Sequence, residues 1–230
     1  MALGGSTILE HQLANLASCG VGRAIIVAGH GYDHLRRALS QYAGPVEVDL
    51  LYNPYYLVAD NLISLWTARR EMEEDFLLLN GDNVFHPDIL GCLFRAAGDA
   101  CLAVSRKATF DADDTKVHLA DSGVRQIGKD IPPAGWDAES IGIMRFGGPA
   151  RPALRQVLET ASVSQQARQR LFLDAIQMLI DAGHPVTACD VGDLPWADVD
   201  TPADLQFVRN HLDRFTGAGA PSAVQPQGAQ

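Results

Sequence analysis

Carboxylates at two strand ends are the first residues of this chain whose type and position could do chemistry. Phe76-Leu77-Leu78-Leu79 is a short unbroken apolar run, the pattern of a strand covered on both faces. It stops at Asn80-Gly81-Asp82, where Gly81 allows a tight turn and Asp82 falls just past the carboxyl end of the strand. In open α/β sheets, ligands bind at that edge. A carboxylate there can hold Mg²⁺ against substrate phosphates, or it can simply cap the next helix. Trp196-Ala197-Asp198-Val199-Asp200-Thr201-Pro202 repeats the arrangement, a short strand ending in Asp200 just ahead of a helix start. Asp82 and Asp200 together could make one metal site, because paired carboxylates from separate strand ends suit Mg²⁺ bridged to a triphosphate. For Asp200 the structural alternative is again a helix cap. Asp198 ranks below it, on the expectation that strand alternation turns it to the other face.

Other polar groups fall where such a sheet would gather a ligand. Tyr52-Asn53-Pro54 closes a strand, and Asp60-Asn61-Leu62-Ile63-Ser64 opens a helix. Asn61 and Ser64 lie three apart on one helical face and could read a base or ribose, although Asn61 could equally be a cap. Lys107 follows a strand and Lys129 follows a hairpin strand, positions from which lysines bind phosphate as point charges. Solvated surface lysines have the same pattern. Glu139-Ser140-Ile141-Gly142 would add a carboxylate and a close backbone approach near an acceptor. His11, His30 and His118 share no metal-ligand spacing, and no Gly-x-Ser-x-Gly elbow is present, so nucleophilic catalysis is not expected.

The elements that must position these groups follow from periodicity. Thr7 and Glu10 form a capping box ahead of a helix whose face is Ile8, Leu9, Leu13, Leu16 and Ala17. The chain then alternates: strand 23–28, helix 33–42, strand 46–51, helix 61–72, strand 76–79 and helix 87–97. That alternation predicts a parallel sheet with helices on both faces. Beyond it come a strand at 101–105, a hairpin of 115–119 with 124–128 around Asp121-Ser122-Gly123, and a strand at 139–146. Helices at 150–160 and 168–182, strands at 186–191 and 196–199, and a last helix capped by Thr201 complete one domain, residues 1–214. The Gly, Ala, Pro, Ser and Gln of 215–230 read as a disordered tail.

Composition narrows the partners. A length of 230 residues fits one α/β domain with a real core, and a formal net charge of −10 argues against non-specific binding to nucleic acid or anionic membranes. Cys19, Cys92, Cys101 and Cys189 form no Cys-x-x-Cys pair and read as apolar fillers of a reduced, cytoplasmic protein. No signal peptide or bilayer-length apolar run is visible.

Taken in order, Leu9-Glu10-His11-Gln12-Leu13, Ala28-Gly29-His30, Tyr52-Asn53-Pro54-Tyr55-Tyr56, Asn61-Leu62-Ile63-Ser64-Leu65, Leu79-Asn80-Gly81-Asp82, Ser105-Arg106-Lys107, Ile127-Gly128-Lys129, Ser140-Ile141-Gly142-Ile143 and Trp196-Ala197-Asp198-Val199-Asp200-Thr201 resemble the nucleotidyltransferases that make activated sugars and polar head groups. The similarity is to MobA-like and to phosphocholine and sugar-phosphate cytidylyltransferases. It implies a Rossmann-like, three-layer nucleotide-diphospho-sugar transferase fold with a mostly parallel central sheet. It implies transfer of NMP, CMP first, from an NTP to a small phosphorylated acceptor with release of pyrophosphate. Asp82 and Asp200 would hold Mg²⁺, with Lys129 as a third catalytic group. Asn53, Asn61, Ser64, Asn80, Gly81, Lys107 and Glu139 would line the substrate pocket, with Lys107 and Lys129 facing the acceptor phosphate. The partners implied are the NTP and the acceptor, with homo-oligomer formation left open. An inactive nucleotide-binding relative and a nucleotide-sugar-dependent glycosyltransferase are the alternatives. Ala2-Leu3-Gly4-Gly5-Ser6 matches the stretch just after the family's Gly-rich loop, so the first strand and that loop are expected ahead of Met1. A truncated member is the alternative. In that family the first strand sits between the strands here beginning at Arg23 and Phe76.

Overall fold

The computed structural model describes residues 1–107, 111–121, 123–132 and 136–217. The expected tail from Ala218 onward and Ser122 of the predicted turn lie outside the described residues.

A short ribbon, β1 (Ala2–Leu3) with β2 (Ser6–Thr7), leads into α1 (Ile8–Ser18). Thr7 and Glu10 form the capping box, as the spacing predicts. Strand β3 (Arg23–Ala28) and β4 (Glu47–Tyr52) are joined through α2 (Tyr32–Leu39) and pair in parallel. Helix α3 (Asn61–Thr67) stops earlier than the predicted 61–72 because its chain tightens into a 3₁₀ turn at Arg69–Glu71. Then come β5 (Phe76–Leu79), β6 (Asn83–Phe85) and α4 (Asp88–Arg95).

The second half builds most of one sheet. Strand β7 (Ala100–Ser105) is followed by the hairpin β8 (Lys116–Ala120) and β9 (Gly123–Gly128), then by the long β10 (Ala138–Phe146). Helices α5 (Ala150–Ser162) and α6 (Phe172–Asp181) precede β11 (Thr187–Asp190), β12 (Trp196–Asp198), α7 (Pro202–Asn210) and α8 (Leu212–Phe215). The sheet runs β11-β7-β10-β8-β9, with β5 also on β10.

The three-layer α/β arrangement is the expected one, but the sheet is mixed rather than mostly parallel. Strand β10 lies antiparallel to β5, β7 and β8, while β11 with β7 and β3 with β4 are the parallel pairs. The helix-strand alternation of the first half cannot reveal this, because β10 arrives from the second half. Both faces are buried. Leu102, Met144 and Phe146 pack under α3, α5 and α6, while Cys101, Ala103, Ile141 and Ile143 pack under α1 and α4. Strands β3 and β5 share the second cluster through Ala24, Leu77 and Leu79, yet they belong to separate sheets.

Candidate active site

The loop that bears Asp82 is held from below by a polar row on α1. His11, Gln12 and Asn15 are all buried. Gln12 Nε2 donates to Asn80 O at 2.9 Å and to Asn83 O at 2.8 Å, closing a clamp across Asn80-Gly81-Asp82-Asn83. Asn15 Nδ2 donates to Phe85 O at 2.7 Å, and His11 Nε2 meets the same carbonyl at 3.1 Å. Burial lowers the His11 pKa, so its ring is a neutral strut rather than a charged one. The residues are structural here, and the sequence signal for them is three polar side chains on the face of an amphipathic helix.

Strand β6 then pairs with β12, Asn83 opposite Asp198, and Val199 N donates to Asp82 O at 3.1 Å. The two carboxylate-bearing segments are thereby locked side by side. Asn83 Nδ2 donates to Asp198 Oδ1. Burial raises the Asp82 pKa, and the charge of Asp200 adds to it. Burial pushes Asp198 up to about 7, with the charges of Asp82 and Asp200 behind it and that of Lys129 opposing. Asp82 Oδ1 and Asn83 Oδ1 are shielded from solvent and have no hydrogen-bond partner among the described residues. This pole is an excess of negative charge with unused acceptor atoms.

The structure corrects the ranking of Asp198. Residues two apart on a strand share a face, so Asp198 and Asp200 lie on one side and the buried Val199 on the other. Asp200 is exposed and past the strand end, whereas Asp198 is inside the ribbon. Nor is Asp200 the helix cap. Thr201 takes that place, its Oγ1 accepting from Asp204 N at 3.2 Å. Gly81 is also not the strained glycine. It has an ordinary φ, and nothing lies within 4 Å of where its Cβ would stand. The glycine that matters is Gly142, in the β10 bulge between Ser140 and Met144. Its φ is +72°, and a Cβ there would come within 2.4 Å of Asn80 Nδ2 and 3.0 Å of Asn83 Oδ1.

A second pole lies three residues back along β10. Glu139 pairs with Ser105 of β7 and Lys116 of β8. Lys107 Nζ sits 2.7 Å from Asp114 Oδ2 and 2.7 Å from Glu139 Oε2. Burial dominates at Glu139 and pushes it up to about 7, with Lys107 opposing and Asp114 reinforcing. Asp114 stays below the usual range, because the bonds from Lys107 and Asp111 N outweigh its partial burial. Lys107 is therefore neutralised within the protein and is not the bare phosphate ligand the sequence suggested. Buried Lys116 braces this wall, donating to Ala112 O at 2.8 Å and to Lys129 O at 3.2 Å. Sequence reading missed Asp114 and Lys116, for Asp114 sits in an irregular stretch that has no local pattern.

The charges of Asp114 and Lys129 both reach Asp198. Among the described residues no group of three or more His, Cys, Asp or Glu side chains is placed to hold a metal by itself. Asn53, Asn61 and Ser64 are spent differently. Asn53 Nδ2 donates to Ser64 Oγ at 3.0 Å and its Oδ1 accepts from Tyr55 N, while Asn61 Oδ1 accepts from Phe172 N at 2.7 Å. They fasten α3 to the end of β4 and to α6.

Residues 1–191 match the family model described as the MobA-like NTP transferase domain. The chain belongs to this family. It is 29% identical over 218 residues to the "Bifunctional IPC transferase and DIPP synthase" of Rubrobacter xylanophilus, covering 94% of this chain and 47% of that protein. It is 30% identical over 212 residues to the "CMP-5'-(3-aminopropyl)phosphonate synthase" of Streptomyces rubellomurinus, covering 87% of this chain and 33% of that protein. The chain thus spans half or less of the length of these curated relatives. Among solved structures it resembles the inositol-1-phosphate CTP transferase of T. maritima, with a TM-score of 0.77 at 22% identity over 96% of this chain and 88% of that one. It also resembles the CTP:phosphocholine cytidylyltransferase of Streptococcus pneumoniae, with a TM-score of 0.70 at 16% identity over 92% and 87%. These likenesses show the nucleotide-diphospho-sugar transferase type of fold. No helix among the described residues is long and apolar enough to cross a membrane.

Proposed function

We propose that the chain is a nucleotidyltransferase unit that moves CMP from CTP to a small phosphorylated or phosphonate acceptor. An acceptor oxygen attacks the α-phosphorus, the bond to the bridging oxygen breaks, and pyrophosphate leaves. No covalent enzyme intermediate is needed. The observation that supports this most is the β6–β12 pairing, which sets Asn83 opposite Asp198 and holds the Asp82 carbonyl on Val199 N, backed by family membership and by relatives named for CMP or CTP chemistry.

The residues fit Mg²⁺. Two carboxylates raised by burial, Asp198 also by the charges of Asp82 and Asp200 and Asp82 also by that of Asp200, with an orphaned Asp82 Oδ1 beside them, are stabilised by a dication. Asp82 and Asp198 would hold the ion, Asp200 would sit outside, and substrate phosphates would complete the shell. Bound there, Mg²⁺ supplies charge neutralisation for the phosphates. The protein's own part is position. Gln12 and Gly142 fix the Asp82 loop, and Lys129 brings positive charge to the same pole. The open space over Gly81 leaves room for close approach of the nucleotide. The cytoplasm is the compartment this reading implies, and four free thiols suit it.

The test is pyrophosphate release from each NTP with Mg²⁺ and a panel of inositol 1-phosphate, phosphocholine and aminoalkyl phosphonates. CTP with one acceptor class is expected to turn over and EDTA to stop it. Release with no pair, together with thermal stabilisation by nucleotide-sugars alone, would favour a glycosyltransferase.

A further inference from the structure

Lys129 supplies positive charge to the first pole, yet its own side chain is not tied there. The residue is exposed, it directly follows the end of β9, and its charge bears on Asp198. Among the described residues no hydrogen bond or ion pair holds its ammonium. A lysine of that kind samples many rotamers, and holding it in one costs conformational entropy. Where its charge falls therefore depends on how firmly its backbone is set.

That backbone is held by Lys116. Lys116 stands opposite Gly128 across the hairpin and is 3% exposed. Its Nζ reaches one residue beyond, donating to Lys129 O at 3.2 Å, and also donates to Ala112 O at 2.8 Å. Trp136 Nε1 holds the same stretch a second time, donating to Ile131 O at 2.5 Å, and Lys116 Nζ lies 5.1 Å from the centroid of the Trp136 ring. A lysine is a costly residue to bury here. A buried ammonium is expensive unless a carboxylate meets it. Among the described residues none lies within salt-bridge distance of Lys116, and its cross-strand neighbour Glu139 turns to Lys107 instead. An apolar side chain would fill the space without that cost. What the ammonium alone provides is two charge-assisted donors, one to the 112 segment and one directly to the backbone of Lys129.

We infer that Lys116 is a positioning residue of nucleotidyl transfer, acting through Lys129: it fixes the Lys129 carbonyl so that the Lys129 ammonium bears on the first pole and on the substrate phosphates there. The inference rests on the nucleotidyl-transfer reading, and its test separates the two. The wild-type chain is compared with Lys116→Met, Lys129→Met and the double variant in kcat for pyrophosphate release, in melting temperature and in hydrogen–deuterium exchange. Each single variant is expected to lower kcat about tenfold, and the double variant about tenfold rather than a hundredfold, because residues that act as one unit are not additive. Lys116→Met should melt close to or above wild type, since it removes a buried charge. Exchange around residue 129 should quicken in Lys116→Met while β10 exchanges as in wild type. Losses that multiply in the double variant, an unchanged kcat in Lys116→Met, unchanged exchange around residue 129 or a melting temperature well below wild type overturns the inference. Should Lys116→Met not fold, Lys116→Gln, which keeps an N–H donor, takes its place in the cycle, and failure of both to fold makes Lys116 a structural residue and overturns the inference as well. Absence of pyrophosphate release from wild type with every NTP and acceptor condemns the transfer reading instead, and leaves the exchange measurement to judge the hold of Lys116 on Lys129.

Discussion

The two charged poles, at the ends of β5 and β12 and at the start of β10, contain the same kinds of residue but balance them differently. At the second pole Lys107 sits at salt-bridge distance from Asp114 and Glu139, so most of the charge is settled within the protein. At the first pole Asp82, Asp198 and Asp200 crowd together, Asn83 offers a neutral amide, and Lys129 acts only from a distance. A cluster balanced internally needs no ligand, whereas a cluster left unbalanced is stabilised by a cation, because buried like charges raise one another's pKa values.

Replacing the unbalanced carboxylates should give the largest effect. Asp82→Asn and Asp198→Asn are each expected to lower kcat by about a thousandfold, and Asp200→Asn by about tenfold at most. Steady-state pyrophosphate release at saturating CTP measures all three. Equal losses at Asp198 and Asp200 would restore the pairing of Asp82 with Asp200.

Gly142 joins the poles, so a side chain there disturbs both. Gly142→Ala places a Cβ at positive φ against Asn80 and should cost about 2–3 kcal/mol of stability. Gly81→Ala, which meets nothing within 4 Å, should cost less than about 1 kcal/mol. Urea unfolding of the pair checks the contrast.

At the balanced pole, Lys107→Ala leaves two carboxylates facing each other. A cost of about 1–2 kcal/mol is expected, below that of a fully buried pair because Lys107 is 33% exposed. A melting temperature equal to wild type would mean that the pole is not balanced by Lys107.

The poles should also differ in pH response. Asp198 titrates near 7 in the fold and near 3.8 when unfolded, so the folded chain binds a proton that the unfolded chain has released between those values. Folded stability therefore falls as pH rises through that window. Asp198→Asn should gain melting temperature relative to wild type at pH 8 compared with pH 4.5, and Mg²⁺ should raise the wild-type value most at pH 8. A constant difference between variant and wild type across pH would refute the buried proton.

The smallest effect concerns the scaffold. Strands β3 and β5 lie over one apolar cluster but in separate sheets, whereas β7 and β10 are paired on both sides. Amides of β3 and β5 should exchange with deuterium sooner than those of β7 and β10.

Much of this architecture is legible in the residues. The apolar run of Phe76–Leu79, the Thr7–Glu10 and Thr201–Asp204 boxes and the β8–β9 hairpin are local patterns, and the structure has them where the pattern puts them. Asp82 falls at its strand end for the same reason. Strand β12 was read at 196–199, but the three-residue β6 and its pairing with β12 were not legible, because so short a strand has no periodicity and pairing is not written in local pattern. Without that ribbon Asp198 could not be seen to lie opposite Asn83, next to Asp82. Lys107 and Glu139 were marked by position, but the charge that balances them comes from Asp114.

The sequence by itself determined most of the elements, the Thr7 and Thr201 caps and the family, because each rests on residues near one another in the chain. Only the tertiary structure decided which carboxylates meet, which glycine is irreplaceable and which lysine is already neutralised. Those depend on pairings between residues as distant as Asn83 and Asp198, and on the desolvation that comes only when the layers close over them.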